Sequence, residues 1–179
     1  MNMKKIVFIT GGARSGKSSF ALKAASGIPG RRAYIATSEA RDEEMRKRIE
    51  MHRKQRGNGW DTIEEPLMIA EVLNDIKGKC GSIVLDCLTL WLSNIMHAKL
   101  DMEAEIERLI SSLRSLQACV FIVSNEVGMG IVPENGMARE FRDLAGMLNQ
   151  RVAEAADEVY LVVSGIPLKI KEIDDTGDG

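Results

Sequence analysis

The sequence predicts an α/β fold in which a mostly parallel sheet is flanked by helices. Short runs of β-branched residues alternate along the chain with longer segments of helical period, as in parallel sheets that are covered by helices. The first run leads directly into a glycine-rich loop of the phosphate-binding kind, TGGARSGKSS. A length of 179 residues suits one hydrophobic core. We therefore expect residues 1–179 to form a single domain.

Five runs are predicted as strands because each is short, apolar and rich in β-branched residues. In chain order they are KKIVFIT at 4–10, RRAYIAT at 31–37, GSIVLD at 81–86, ACVFIVSN at 118–125 and DEVYLVV at 157–163. The segments between the strands have helical period, and we predict that helices begin near Lys17, Asp42, Pro66, Leu88, Met102 and Glu134.

The chain is predicted to reverse direction near its end. Gly165 and Pro167 mark a turn after the fifth run. The segment LKIK at 168–171 is expected to return as a short antiparallel edge strand. The acidic segment 172–179, which also contains glycine, is expected to be a frayed tail.

Composition excludes several classes of protein. The net charge of −2 and the pI of about 5.8 provide no global basic field for nucleic acid. No apolar run approaches the roughly 18 residues of a membrane-spanning helix. The three cysteines lack CxxC spacing, so they are expected to be buried and reduced. We therefore expect a cytoplasmic protein that binds no nucleic acid and has no integral membrane segment.

The loop after the first strand matches the G-x-x-x-x-G-K-[ST] phosphate motif without a mismatch, in its expected place between a strand and a helix. Its backbone N–H groups would surround phosphate oxygens at the positive end of the helix. Lys17 is predicted to reach the β- and γ-phosphates of a nucleoside triphosphate, and the Ser18 hydroxyl to bind Mg²⁺. The residues predicted to hold the triphosphate are Gly11, Gly12, Ala13, Arg14, Ser15, Gly16, Lys17 and Ser18. For Arg14, a solvated loop arginine is an equally good interpretation.

Asp86 is the candidate for a second magnesium ligand. It ends the run SIVLD, and ligands of open α/β sheets bind at the carboxyl ends of the strands. There its carboxylate would hold Mg²⁺ directly or through water. The alternative is that Asp86 caps the helix that follows.

His52 lies in the predicted helix DEEMRKRIEMHRKQR, among several cationic residues. The simpler interpretation is a surface helix whose histidine lies at the margin of an apolar stripe. The other interpretation is catalytic, because neighbouring cations lower the pKa of an imidazole and attract a triphosphate. A neutral imidazole can attack phosphorus and form a covalent intermediate.

Two blocks of the chain, NEVGMGIVP and FRDLAGMLNQ, are highly specific. They occur together with GGARSGKS, YIATSEARDEEMRKRIEMHRKQR, WDTIEEP and DCLTLWLSN. In these blocks, from Lys4 to Lys171, the chain resembles the bifunctional adenosylcobinamide kinase and adenosylcobinamide-phosphate guanylyltransferase family of cobalamin biosynthesis. The resemblance implies a RecA-like P-loop fold, a cytosolic homotrimer, a corrinoid substrate, and GTP or ATP with Mg²⁺ as co-substrate and cofactor.

The resemblance implies two reactions at one site. The aminopropanol hydroxyl of adenosylcobinamide is phosphorylated, and GMP is then transferred from GTP to that phosphate through a guanylylated histidine, with release of pyrophosphate. By resemblance His52 is the nucleophile. The other residues implied to contact GTP are Thr37, Ser38, Arg53, Lys54, Gln55, Arg56, Glu64 and Asp86. Members often carry two adjacent histidines where this chain has Met51 and His52.

The loop after the fifth strand carries a further polar candidate. Asn125 and Glu126 follow the strand directly, so they should point towards the ligand crevice. Glu126 is a candidate for meeting the corrinoid hydroxyl or organising magnesium, and the alternative is a loop whose polar groups only cap the next helix. Two other functions stay open for the whole chain: a P-loop small-molecule kinase in which His52 is structural, and a nucleotide-switch binding protein.

Overall fold

The computed structural model describes residues 4–39 and 43–172. Within the second helix it describes the backbone, but not the side chains, of residues 44, 45, 48, 49, 52 and 55. The predicted tail therefore lies, apart from Glu172, outside the described residues.

Within residues 4–39 and 43–172, seven strands form one sheet in the order β3-β2-β4-β5-β1-β6-β7. Strands β1 to β6 are parallel, and β7 pairs antiparallel with β6 at the edge. The predicted fold class, a mostly parallel sheet with an antiparallel C-terminal edge strand, is confirmed. The strands are β1 Lys5–Thr10, β2 Arg32–Ala36, β3 Asp61–Glu64, β4 Ser82–Asp86, β5 Cys119–Val123, β6 Glu158–Val163 and β7 Ile166–Glu172.

In the described part of the chain, six helices connect the strands, and each begins within a few residues of its predicted start. Asp101 begins α5 by accepting a hydrogen bond from the Ala104 N–H, and Asn135 begins α6 by accepting from Met137 and Ala138; both are typical N-cap contacts. The helices are α1 Lys17–Ser26, α2 Glu43–Arg56, α3 Ile69–Asp75, α4 Leu88–Ala98, α5 Met102–Ser115 and α6 Gly136–Ala155.

The core lies on both faces of the sheet because successive side chains of a strand point to opposite faces. In β1, Ile6 and Phe8 pack with helices α3 to α6, whereas Val7 and Ile9 pack on the side of α1. Strand β5 is buried at every position, as expected for a strand within a parallel sheet.

Two features near the sheet edges differ from the sequence prediction. Strand β3 was missed because DTIE contains one apolar residue and its side chains are mostly exposed, so no apolar run marks it. Strand β7 is longer than LKIK: it begins at Ile166 and includes Glu172, which was assigned to the tail. Glu172 is held there by an ion pair with Lys169 at 2.8 Å.

The three cysteines and Trp91 are buried in the core. Cys80, Cys87 and Cys119 are all buried thiols, and burial raises the pKa of each of them. Trp91 is fully buried and donates its indole N–H to the Leu67 carbonyl. Among the helices of residues 4–39 and 43–172, none is both long and apolar enough to cross a membrane.

Candidate active site

The predicted phosphate loop connects β1 to α1 and is hydrogen-bonded to the turn between β6 and β7. The Gly165 N–H donates to the Ser15 carbonyl at 2.8 Å. Gly16 has a φ of 101°, and a Cβ at this position would lie 3.2 Å from the Gly165 Cα. Arg14 also adopts a positive φ of 57°, and it is exposed to solvent at the loop tip.

Among the glycines of the phosphate loop, Gly11 leaves the least space for a side chain. Its φ is 148°, and a Cβ at this position would lie 2.3 Å from the Val162 carbonyl oxygen, a backbone atom that cannot move aside. We expect Gly11→Ala to lower the free energy of unfolding by about 2 kcal/mol or more. Urea denaturation measures this change.

Gly12→Ala is the matched control, because nothing lies within 4 Å of a Cβ there. We expect it to change the free energy of unfolding by less than about 1 kcal/mol. Equal losses in the two variants would contradict the close approach of β6 to the loop.

Lys17 opens α1 and is buried, with 6% of its surface exposed. Its Nζ donates to the Gly12 carbonyl at 2.5 Å and to the Ser15 hydroxyl at 3.4 Å. Burial lowers the pKa of Lys17, while Cys87 and Asp86 act in the opposite direction. The ammonium group therefore lies inside the loop, close enough to Asp86 for the two charges to interact.

Asp86 ends β4 and accepts a hydrogen bond from the Tyr34 hydroxyl at 2.8 Å. The capping alternative for Asp86 is wrong, because the residue at the N-cap of α4 is Cys87. Ser18 lies in the first turn of α1, and both it and Asp86 are half-buried. A serine hydroxyl and one carboxylate, completed by phosphate oxygens and water, are the hard oxygen ligands that Mg²⁺ takes in nucleotide sites. The donor set fits magnesium.

Thr37 and Ser38 follow β2, beside Asp86. The Thr37 hydroxyl donates to the Cys87 carbonyl at 2.7 Å and accepts from the Cys87 N–H at 2.8 Å. Thr37 is fully buried, so its side chain holds the end of β4 in place. Ser38 is half-buried. Direct contact of either residue with a nucleotide stays a prediction.

Among the described side chains of helix α2, two arginines of its last turn contact the sheet. Arg53 forms an ion pair with Glu64 at the end of β3. The Arg56 guanidinium lies over the Tyr34 ring, 3.8 Å from its centroid. Lys54 is exposed, and the side chains of His52 and Gln55 lie outside the described part of α2.

Residues 7–170 match the family model of cobinamide kinase / cobinamide phosphate guanyltransferase, CobU. The chain belongs to this family. The chain is also similar to three curated proteins, each named as a bifunctional adenosylcobalamin biosynthesis protein. CobU of Escherichia coli is 41% identical over 93% of this chain and 99% of its own. CobU of Salmonella typhimurium is 42% identical over 93% of this chain and 99% of its own. CobP of Pseudomonas aeruginosa is 41% identical over 91% of this chain and 95% of its own.

Solved structures more distant than the CobU family share the fold. The flagellar accessory protein FlaH of Methanocaldococcus jannaschii has a TM-score of 0.56 at 11% identity, over 95% of this chain and 79% of FlaH. An ATPase of a bacterial type III secretion system has a TM-score of 0.55 at 10% identity, over 89% of this chain and 51% of the ATPase. With the sheet order, these likenesses confirm the RecA-like P-loop fold class.

In this CobU family member, two features of the candidate site were not predicted from the sequence: the contact of Tyr34 with Asp86, and the hydrogen bonds of Glu126. Tyr34 reads as a core residue within RRAYIAT, and its contact with Asp86 spans 52 positions of sequence. Glu126 was a candidate, and its N–H donates to the Gly11 carbonyl at 2.9 Å. Its carboxylate also accepts from the Gly128 N–H at 2.6 Å. The loop after β5 is therefore attached directly to the phosphate loop.

Proposed function

We propose that this chain phosphorylates adenosylcobinamide from a nucleoside triphosphate and then transfers GMP from GTP to the new phosphate through a guanylylated His52. Membership of the CobU family supports both activities. The observation that carries the proposal is that three groups meet at the carboxyl edge of one parallel sheet: Lys17 after β1, Asp86 at the end of β4, and Arg53 of α2 paired with Glu64 at the end of β3. Ligands of open α/β sheets bind at that edge.

In the first reaction the acceptor hydroxyl oxygen attacks the γ-phosphorus. The bond between that phosphorus and the β–γ bridging oxygen breaks, and the nucleoside diphosphate leaves with the bonding electrons. Lys17 would neutralise the charge that develops on the phosphate oxygens. Ser18 and Asp86 would hold the Mg²⁺, which supplies further charge neutralisation when bound. Glu126, fastened beside Gly11, is the candidate to accept the hydroxyl proton.

In the second reaction the neutral imidazole of His52 attacks the α-phosphorus of GTP. A P–N bond forms, the bond to the α–β bridging oxygen breaks, and pyrophosphate leaves. A phosphate oxygen of adenosylcobinamide phosphate then attacks the same phosphorus, and the P–N bond breaks to restore the imidazole. Covalent catalysis divides one difficult transfer into two easier ones. The positive charges of Arg53, Lys54 and Arg56 in the last turn of α2 would favour approach of the triphosphate.

We further propose a cytoplasmic homotrimer. The loop before α6 and the first turn of that helix expose large apolar side chains, Met129, Ile131, Val132 and Met137. Large exposed apolar side chains concentrated in one segment are typical of protein interfaces. Light scattering coupled to gel filtration is expected to give three times the chain mass of 19.7 kDa, and a monomer at all concentrations would contradict this proposal.

An assay of the purified chain tests the proposed function. With cobinamide, GTP and Mg²⁺, we expect cobinamide phosphate first and then cobinamide-GDP with equimolar pyrophosphate. Phosphorylation without pyrophosphate release would favour the simple kinase in which His52 is structural. Absence of both products, with GTP bound tightly, would favour the nucleotide-switch protein.

A further inference from the structure

Tyr34 contacts two parts of the candidate site that are distant in sequence, Asp86 and the last turn of α2. It is buried in β2, with 3% of its surface exposed. Its hydroxyl reaches the Asp86 carboxylate on the neighbouring strand β4 at 2.8 Å. In the register of these strands Ala36 pairs with Asp86, so Tyr34 lies on the same face of the sheet and two residues before the strand end. The hydroxyl can therefore fix the direction of that carboxylate.

The ring of Tyr34 makes a second contact with a different element. One face carries the Arg56 guanidinium at 3.8 Å from the centroid, well within the range of a cation–π interaction. Trp60 packs against the same ring in a T-shaped arrangement, with centroids 6.3 Å apart at 85°. Arg56 ends α2 one helical turn after His52. The ring is thus a seat for the part of α2 that carries the proposed nucleophile.

We propose that Tyr34 is a positioning residue for both transfers: its hydroxyl orients Asp86 towards the metal, and its ring seats the His52 helix through Arg56. Arg56 also interacts with the Tyr34 hydroxyl, so the two roles are separated by changing each of the two residues in turn. Tyr34→Phe removes the hydroxyl and keeps the ring. Arg56→Lys keeps the charge and removes the planar guanidinium that stacks on the ring. The proposal rests on the proposed function.

The first test measures metal binding without turnover. The full chain is loaded with α,β-methylene-GTP, in which the α–β bond cannot be cleaved, and titrated with Mn²⁺ by electron paramagnetic resonance. We expect Tyr34→Phe to weaken Mn²⁺ binding about 10-fold, the usual loss when a group that orients a metal ligand is removed.

Tyr160→Phe is the matched control for this titration. The Tyr160 hydroxyl also donates to a carboxylate, that of Glu158, at 3.1 Å, but on strand β6. We expect its Mn²⁺ affinity to equal that of the unmodified chain. Equal affinities in Tyr34→Phe, Tyr160→Phe and the unmodified chain would overturn the hydroxyl role.

The second test measures the rate at which the chain takes up label from GTP labelled at the α-phosphorus. If Arg56 acts by seating α2, Arg56→Lys should lower the rate at saturating GTP about 10-fold and change the half-saturating GTP concentration less than about 2-fold. A raised half-saturating concentration with an unchanged saturating rate would overturn the seating role and assign Arg56 to direct GTP contact.

Failure of the proposed function would look different from failure of this inference. An unmodified chain that neither takes up label nor phosphorylates cobinamide would contradict the function. The Mn²⁺ titration needs no turnover, so it would still decide the role of the Tyr34 hydroxyl at Asp86. Thermal unfolding of each variant identifies any loss that comes from misfolding.

Discussion

Lys17→Ala is expected to lower both cobinamide phosphorylation and guanylyltransfer at least about 10³-fold. Lys17 is the buried ammonium group of the phosphate loop, and it now lies against the Gly12 carbonyl, where a triphosphate would meet it. Both transfers need the negative charge of the same triphosphate to be neutralised, so the rates of both should fall together. Rates of cobinamide phosphate and cobinamide-GDP formation measure the effect.

Lys23→Ala is the control for this substitution, because Lys23 lies on the same helix and is exposed. Lys23→Ala should form cobinamide phosphate and cobinamide-GDP at the rates of the unmodified chain.

Lys17→Ala should not lower the thermal unfolding temperature near pH 7. The pKa of Lys17 is lowered by burial, so the unfolded chain binds this proton more strongly, and the charged form opposes folding at that pH. Loss of activity together with unfolding would contradict the assignment of Lys17 to phosphate binding.

His52→Ala is expected to abolish uptake of GMP by the protein and to lower guanylyltransfer at least about 10³-fold. Phosphorylation of cobinamide should persist, because there the acceptor hydroxyl attacks the γ-phosphorus without a protein nucleophile. Separate assays of cobinamide phosphate and of pyrophosphate measure the two steps in the same preparation.

Two substitutions control for this result. His97→Ala removes the only other histidine of the chain, whose Nδ1 is within hydrogen-bond distance of the Ser93 carbonyl in the last turn of α4. Met51→Ala changes an exposed residue that is next to His52 in sequence. Both variants should take up GMP at the rate of the unmodified chain. Uptake lost in Met51→Ala instead would show that helix α2 presents a different face to GTP.

The order of strands and helices was predictable because it depends on local patterns. Runs such as GSIVLD are apolar and β-branched, and the phosphate loop has a motif with defined spacing. Strand β3 was not predictable, because an edge strand with exposed side chains needs no apolar run. The sequence patterns identify what is buried, and they are weak where a strand is half exposed.

The site was predictable where its residues act alone. Lys17 and Asp86 follow from the motif and from the end of a strand, but their partners come from the packing of distant segments. Tyr34 meets Asp86 only because β2 and β4 are neighbours in register. Likewise, the turn that fastens the phosphate loop lies at Gly165, 150 positions after Ser15. No local pattern indicates such contacts.

One measurement tests directly whether His52 carries GMP. The full chain is incubated with GTP labelled at the α-phosphorus and Mg²⁺, denatured, digested, and the labelled peptide is sequenced by mass spectrometry. The expected result is an acid-labile, base-stable label on His52 that is lost when cobinamide phosphate is added. A label on another residue, or no label while cobinamide-GDP forms, would contradict the claim.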